Sequence, residues 1–219
     1  MSSQIQAEVN RLFQQDIPQL TSAIDQEIKS SGFDPLRHLM SSANTLGSVD
    51  LGVCHASANT NYSIVNTSGL SQLRITDFTS GTLHSKNTAQ TEFYGTFQVR
   101  GEMNNIQSQI VGRFEAGCGL IHPSEGIGGY IRSSAEVIIS GAFTVLTSGN
   151  NVHITEISVQ SFTLDFTGIN LNLNSLGIFS ALQSPFENYM IGAYRYQGKN
   201  TLQNMLSTPI HSGFQKLLS

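Results

Sequence analysis

The residues best suited to do chemistry are two cysteines, Cys54 and Cys118, and six histidines. A thiolate–imidazole pair would make a nucleophile, and clustered cysteines and histidines would hold zinc. Cys54 and His55 are adjacent, however, so in a strand their side chains would point to opposite faces. Neither cysteine belongs to a CxxC sequence, and the histidines are scattered without metal-ligand spacing. These residues therefore predict neither a nucleophilic site nor a metal site.

The two cysteines leave two interpretations open. In an oxidising compartment they would close one loop with a disulfide, whereas in a reducing one they would behave as small buried hydrophobes. Residues 1–10 do not resemble a signal peptide, so we expect either a cytosolic chain or a mature form whose leader was removed. Two Asn-x-Ser sequons, at Asn61 and Asn66, favour secretion as acceptors for N-glycosylation. Such triplets also arise by chance in a chain rich in Ser, Thr and Asn.

The remaining sequence carries no HExxH, GxSxG, Walker or Rossmann motif. Charged residues make up 12% of the 219 residues and the net charge is −4, with no basic stripe for phosphate contacts. No run approaches the roughly 18 apolar residues that a membrane span needs. We therefore expect a protein that is not an enzyme, with no cofactor, no nucleic-acid partner and no transmembrane segment.

Residues 1–33 have the hydrophobic pattern of a long helix. Pro18 interrupts this pattern, which predicts either a kinked helix or two helices meeting near Asp16. Gly32 and the turn Asp34-Pro35 mark its end. The apolar residues recur at intervals of three and four and fall on one stripe, formed by Ile5, Val9, Leu12, Phe13, Ile17, Leu20, Ile24 and Ile28.

From residue 46 to residue 173 the hydrophobic period changes to two. The segments "EFYGTFQVRGEM" and "AEVIISGAFTVLTSG" alternate as long strands do. The segment "VHITEISVQSFTLDF" changes parity twice, between Ile154 and Ile157 and between Val159 and Phe162. Each change predicts a β-bulge or a strong bend. Such strands, joined by short turns, predict one antiparallel and highly curved sheet.

Residues 175–219 return to a helical pattern. A helix opens at Ser184 with a capping box and is predicted to stop at Gly198, and another restarts at Asn200. The order of a long helix, an antiparallel sheet and closing helices predicts an α+β fold. We expect a single domain over residues 1–219.

A long helix with an apolar stripe needs a cover of matching length, and long strands curved around it would form a tube. Such a tube is either filled by side chains or hollow enough for an apolar guest. Inward glycines at 95, 101, 112 and 141 would either widen it or relieve strain where the sheet coils. The hydroxyls of Tyr189, Tyr194 and Tyr196 could meet the polar end of a guest, the last two from exposed positions. The expected wall consists of Leu20, Ile24, Ile28, Phe97, Val99, Phe114, Ile139, Phe143, Phe179, Leu182, Tyr189 and Met190.

The segments "LTSAIDQEIKSSGFDPLRHL" and "ITEISVQSF" and the helical end "GIFSALQSPFENYMIGAYRYQGKNTLQNMLSTPIHSGFQKLL" resemble the arthropod group 7 mite allergens. These belong to the tubular lipid-binding superfamily, with bactericidal/permeability-increasing protein and the takeout and juvenile-hormone-binding proteins. The resemblance covers most of the chain and implies a curved sheet around a long helix, secretion and no catalysis. Takeout-like relatives have cysteines near the N-terminus, so their disulfide does not carry over to Cys54 and Cys118.

The residues and the resemblance together predict non-enzymatic binding or transport of a hydrophobic small molecule inside the tube. A fatty acid, a terpenoid, a sterol or a carotenoid would fit equally well. The alternative is a secreted host-defence or interaction protein that recognises microbial lipid or a protein partner through its surface. A homodimer is left open.

Overall fold

The computed structural model describes residues 2–89, 91–148 and 151–218. A long helix, α1 (Ser2–Ser30), precedes a sheet whose strands are β1 (Leu36–Asp50), β2 (His55–Ser68), β3 (Leu73–Ser80), β4 (His84–Ser85), β5 (Glu92–Ala116), β6 (Ser124–Ser148) and β7 (Asn151–Leu173). The helical end consists of a 3-10 turn (Gly177–Leu182), α2 (Gln183–Ala193), a π-helical turn (Tyr194–Gly198), α3 (Lys199–Gln215) and a last 3-10 turn (Lys216–Leu218). The α+β fold predicted from the sequence is confirmed.

The strands form one antiparallel sheet in the order β1-β2-β5-β6-β7. β2 pairs with the second half of β5, and β3 and β4 pair with its first half. The register between β6 and β7 shifts at three places along β7: residues 154–156, residues 159–161 and residues 166–168, the last of which was not predicted. Both predicted bulges are thereby confirmed, and each adds local twist to the sheet. The sheet curls into a half-barrel whose inner face carries the core.

Two predicted boundaries were wrong. The strands begin at Leu36 rather than at residue 46, because β1 has two register irregularities that disturb its alternation. For the first helix, where the sequence left a kinked helix and two helices open, the structure has one helix that continues through the exposed Pro18. The closing helices do not break at Gly198, since the π-helical turn joins α2 directly to α3.

The inward glycines of the sheet make room for protein atoms rather than for open space. A Cβ at Gly141 would lie 2.5 Å from the ring of Phe97, and one at Gly95 would lie 2.9 Å from the ring of Phe143. Gly101 and Gly112 lie against the backbone of the neighbouring strands. These positions therefore accommodate aromatic rings and close strand packing.

The helices α1 and α3 close the open side of the half-barrel. Gln14 of α1 donates a hydrogen bond to the Phe78 carbonyl on β3 at 3.1 Å, and Gln203 of α3 donates one to the Phe162 carbonyl on β7 at 3.2 Å. Where the two helices cross, Gly213 lies against Ile24. Among the helices of the described residues, none combines the length and the apolar character of a membrane span.

Candidate functional site

The structure places the twelve predicted wall residues in the core. Eleven are at most 8% exposed, and Tyr189 is partly buried. Ile24, Ile28, Val99, Phe114, Phe179 and Met190 are 0% exposed, so they border no space large enough for a water molecule. Ligand contact at these positions stays a prediction. A guest lying against them would have to displace protein side chains.

The aromatic part of this wall divides into two clusters. Phe97 and Phe143 belong to a helix cluster beside α1 and α3, completed by Phe13, Phe78 and Phe214. A second group, the disulfide-end cluster, consists of Tyr62, Phe114, Phe179, Phe186 and Tyr189, with neighbouring ring centroids 5.0 to 6.2 Å apart. The aromatic residues of the predicted wall therefore occupy two parts of one continuous core.

A disulfide joins Cys54 to Cys118, which lie 64 positions apart in the sequence. Cys54 closes the turn between β1 and β2, and Cys118 opens the loop between β5 and β6. Of the two sequence interpretations, the structure adopts the bonded one. The bond ties together two connections at the same end of the sheet, beyond the disulfide-end cluster.

Four large apolar side chains are exposed at this end. Val53 is 73% exposed beside Cys54, and Ile178 is 59% exposed in the 3-10 turn that follows β7. Leu120 is fully exposed and Ile121 is 42% exposed, both in the loop that Cys118 opens. We call these four residues the apolar tip. Soluble proteins seldom group large apolar side chains on exposed turns without a partner.

Two of the three turns that form the apolar tip, those of Val53 and of Leu120 and Ile121, are held by backbone hydrogen bonds. The Leu51 N–H donates to the Cys54 carbonyl at 2.9 Å. Cys118 and Ile121 exchange two backbone hydrogen bonds, at 2.9 and 3.0 Å. The tip is therefore a preformed surface, fixed by these turns and by the disulfide.

Charge is absent from the tip but surrounds it. Residues 51–54 and 117–123 contain no Asp, Glu, Lys or Arg. The flanking strands carry three carboxylates, those of Asp50, Glu115 and Glu125, and the guanidinium of Arg113 lies 3.5 Å from Glu115. An uncharged or zwitterionic surface suits this rim better than an anionic one.

Hydroxyl groups gather on the core side of the same end. The Tyr189 hydroxyl lies 2.8 Å from the Ser42 hydroxyl. Tyr62 and Thr60 are 1% and 2% exposed, and neither hydroxyl has a hydrogen-bond partner. Burial raises the pKa of Tyr62, with Tyr189 adding to the rise and Ser42 opposing it. Tyr62 therefore keeps its proton and stays a donor.

The other two tyrosines proposed from the sequence are placed differently from each other. Tyr196 is 72% exposed, as expected. Tyr194 is fully buried, contrary to expectation, because its ring stacks on Phe166 and its hydroxyl bonds to Ser133 at 3.1 Å. Its hydroxyl is therefore already satisfied by the protein.

Two surface grooves lie near this end. One of about 700 Å³ is bordered by the exposed side chains of His55, Glu115 and His122, and another of about 520 Å³ is bordered by Asn61 and Arg113. Within the described part of the chain, no three His, Cys, Asp or Glu side chains lie close enough to hold a metal ion. The larger groove is mainly polar, whereas the wall of the smaller one is slightly more apolar than polar and includes Val111.

Sequence reasoning missed both the apolar tip and the unpartnered hydroxyls. The signal for the tip lies in "LGVC" and "GCGLI", where apolar residues occupy short glycine-containing turns beside cysteines. Thr60 and Tyr62 belong to the alternating segment "ASANTNYSI", whose inward face could have been identified. No sequence pattern shows that an inward hydroxyl lacks a partner.

Comparisons with known proteins yield similar folds but no similar sequences. No protein-family model matches the chain, and no curated protein matches it. A solved lipopolysaccharide binding protein is similar over 89% of this chain, with 9% identity and a TM-score of 0.47. This chain spans 37% of the length of that protein. Takeout 1 of Epiphyas postvittana is similar over 97% of this chain and 91% of its own, with 13% identity and a TM-score of 0.38.

Proposed function

We propose that this protein binds a hydrophobic small molecule without enzymatic chemistry, taking it up at the disulfide end of its core. The architecture agrees with the tubular lipid-binding superfamily to which the sequence resemblance points. Fatty acids, sterols and carotenoids all have the apolar surface that such a core would remove from water. At roughly 25 cal/mol per Å² of apolar area, that burial supplies the main driving force.

The apolar tip is the observation that carries this proposal. It places exposed Val53, Leu120, Ile121 and Ile178 at the end of the molecule where Phe114, Phe179 and Phe186 form the core. An apolar guest leaving a lipid assembly would meet the tip before the aromatic cluster. The tip thus provides a contact surface between a lipid source and an apolar interior.

Surface recognition of lipid without uptake is the second candidate function, and the same tip favours it. The two functions differ in what remains with the protein after the lipid surface is removed. A carrier retains a monomeric guest, whereas a surface-recognition protein only sediments with vesicles.

A transfer experiment separates the two functions. The protein is incubated with phosphatidylcholine vesicles containing cis-parinaric acid, dehydroergosterol or β-carotene, and the vesicles are then removed by centrifugation. The proposal expects at least one guest in the supernatant, bound to protein at a ratio approaching one to one. Protein that sediments and leaves no guest in the supernatant supports surface recognition. Protein that does neither contradicts both functions.

A matched pair of variants tests the role of the tip. Replacing Val53 and Leu120 together by Ser should slow transfer about tenfold or more, because both side chains lose their apolar contact with the vesicle. Leu146→Ser is the control, since Leu146 is 43% exposed and belongs to the opposite end of β6. An equal effect of both changes would show that general surface hydrophobicity, and not the tip, governs transfer.

We also propose secretion, which the disulfide favours because such bonds persist in oxidising compartments. Asn61 and Asn66 are both exposed on β2, and the Asn66 amide donates to Gln109 at 3.0 Å. Glycosylation at either residue is expected to add mass that peptide N-glycosidase removes. An unmodified native protein would leave secretion to be supported by the disulfide alone.

A further inference from the structure

Two hydroxyl groups are buried without partners at neighbouring inward positions of β2. Thr60 is 2% exposed and Tyr62 is 1% exposed. Within the described residues, their hydroxyls and one carboxylate oxygen of Asp25 are the buried side-chain polar atoms without a hydrogen-bond partner. Buried polar groups are nearly always bonded, so two such hydroxyls two positions apart on one strand need an explanation.

Other buried hydroxyls of the same sheet are satisfied by the protein. Thr67 and Ser108 lie 2.9 Å apart, oxygen to oxygen, and the Tyr194 hydroxyl lies 3.1 Å from that of Ser133. The fold can therefore pair inward hydroxyls when both members are present. Among the buried hydroxyls of the described residues, those without a partner are confined to β2 at the disulfide end.

The surroundings of the two hydroxyls are aromatic and uncharged. The Tyr62 ring makes edge contacts with Phe186 and Tyr189, and Phe114 lies opposite Thr60 on β5. The neighbouring Ser42 and Tyr189 hydroxyls are bonded to each other. Arg113 and Glu115, which flank Phe114 on β5, are exposed on the outer face of the sheet.

We propose that Thr60 and Tyr62 form a subsite for an uncharged hydrogen-bond acceptor, such as the carbonyl of an ester, ketone or aldehyde, at the end of an apolar chain. This inference rests on the proposed function and names the class of ligand. Neither hydroxyl makes a hydrogen bond of regular geometry, although the hydroxyls of Ser42 and Tyr189 lie near that of Tyr62. Each can therefore donate to a carbonyl oxygen, which accepts through two lone pairs. An ionised carboxylate would be buried here without a countercharge and is disfavoured.

The 3-10 turn Gly177–Leu182 and α2 cover the sheet at this end. Displacing this cover would make room for the apolar chain of the ligand. Phe179 and Phe186 fill the space above Phe114, with ring centroids 5.4 and 5.0 Å away. Among the described side chains of residues 177–193, Tyr189 makes the hydrogen bond to the sheet, through Ser42. The cover is otherwise held against the sheet by apolar packing, and contacts with the apolar chain of the ligand can replace that packing.

Three fluorescent probes of similar apolar character test the subsite by direct titration. They are cis-parinaric acid methyl ester, cis-parinaric acid at pH 8, and diphenylhexatriene, which has no polar group. The intact protein should bind the ester more tightly than the ionised acid. Tyr62→Phe should raise the Kd for the ester about tenfold, as expected for one lost hydrogen bond, and leave the Kd for diphenylhexatriene unchanged.

Two further variants make the result specific. Thr60→Val keeps the shape of the side chain. It should weaken binding of the ester and leave binding of diphenylhexatriene unchanged. Tyr194→Phe removes a buried hydroxyl that is already bonded to Ser133, so it should not change the preference for the ester. Hydrogen exchange in residues 177–193 should increase when the ester binds.

The outcomes distinguish this inference from the proposed function. Binding of all three probes with no selective effect of Tyr62→Phe or Thr60→Val overturns the subsite and leaves apolar binding intact. An equal loss for ester and diphenylhexatriene also overturns it, because a general packing defect would explain both. Failure of every probe to bind overturns the proposed function and the subsite together.

Discussion

Tyr62 and Tyr194 are two tyrosines of the same core whose hydroxyls have opposite environments. The Tyr194 hydroxyl bonds to Ser133, which is itself 5% exposed, whereas the Tyr62 hydroxyl has no partner. A buried hydroxyl that loses water without gaining a protein partner opposes folding. Replacing each tyrosine by Phe therefore measures, without ligand, how much folding free energy the unpartnered Tyr62 hydroxyl costs.

Tyr62→Phe is expected to increase the free energy of unfolding by about 1 kcal/mol, because it removes an unsatisfied polar group and keeps the ring. Tyr194→Phe is expected to lower it by about 1 kcal/mol, because the Ser133 hydroxyl loses its partner. Urea denaturation of both variants measures the difference. A loss of stability in both would mean that Tyr62 has a partner in solution.

Asp25 is a partly buried carboxyl group on the face of α1 near the start of β3. One of its carboxylate oxygens has no partner. Burial raises the pKa of Asp25 to about 6, against the opposing influences of Lys29 and the Leu73 N–H, while Asp34 adds to the rise. A carboxyl whose pKa is higher in the folded than in the unfolded chain favours folding at low pH.

The contribution of Asp25 to stability should therefore fall as the pH rises from about 4 to about 6. Asp25→Asn should abolish this loss of stability with rising pH. It should also raise the free energy of unfolding at pH 7.5 by about 1 kcal/mol, a figure kept low because the Asp25 carboxyl is partly exposed to solvent. Denaturation at several pH values gives the difference between the two proteins. Asp77→Asn, at an exposed carboxylate on β3, is the control and should retain the pH dependence of the unchanged protein.

Among the elements, β7 was well predicted and β1 was not. The parity of apolar residues in β7 located two bulges, because a single extra residue exchanges the two faces of a strand. In β1 the irregularities after His38 and Thr45 disturb the same alternation over a largely exposed segment. Periodicity thus identifies a bulge when buried apolar residues continue on both sides of it, and fails when they do not.

The crossing of α1 and α3 depends on the absence of a side chain at Gly213. A Cβ there would lie 2.6 Å from Ile24 Cγ1 and 3.0 Å from Ile24 Cα, and the backbone atom cannot move aside easily. Gly213→Ala is expected to lower the free energy of unfolding by about 1 to 3 kcal/mol through overpacking. Urea denaturation provides the measurement.

Gly192 is the control for this prediction. It lies in α2, and a Cβ there would have no atom within 4 Å. Gly192→Ala should increase the free energy of unfolding by up to about 1 kcal/mol, because alanine favours the helix. Equal destabilisation by the two substitutions would contradict a specific contact between α1 and α3.

For the whole molecule, the disulfide lies at the end that carries both the apolar tip of the proposed function and the inferred subsite. It holds together the turns that present Val53 and Leu120, at the end of the sheet where Thr60 and Tyr62 lie. The sequence identified both cysteines but could not show their partnership, because strand pairing between residues far apart brings them together. The same limit applies to the aromatic clusters, whose division into two follows from the curl of the sheet.

Replacing Cys54 and Cys118 together by Ser should lower the free energy of unfolding by about 4 kcal/mol, since the bond closes a loop of 64 positions. The same variant should bind phosphatidylcholine vesicles more weakly, because the two turns of the apolar tip that the disulfide joins are no longer held in one surface. Urea denaturation and vesicle sedimentation measure the two effects. Phosphatidylcholine is the sensitive lipid, as the carboxylates around the tip would oppose an anionic vesicle at low salt.

Dithiothreitol supplies an internal control, because it reduces the disulfide. It should lower the stability and vesicle binding of the wild-type protein to those of the double variant, and should not affect the double variant. Weaker vesicle binding with an intact fold would show that the disulfide preorganises the tip. Full vesicle binding by a destabilised double variant would instead mean that the turns hold their shape through their own backbone bonds at Leu51 and Cys118. In that case the disulfide would stabilise the protein without directing its contact with lipid.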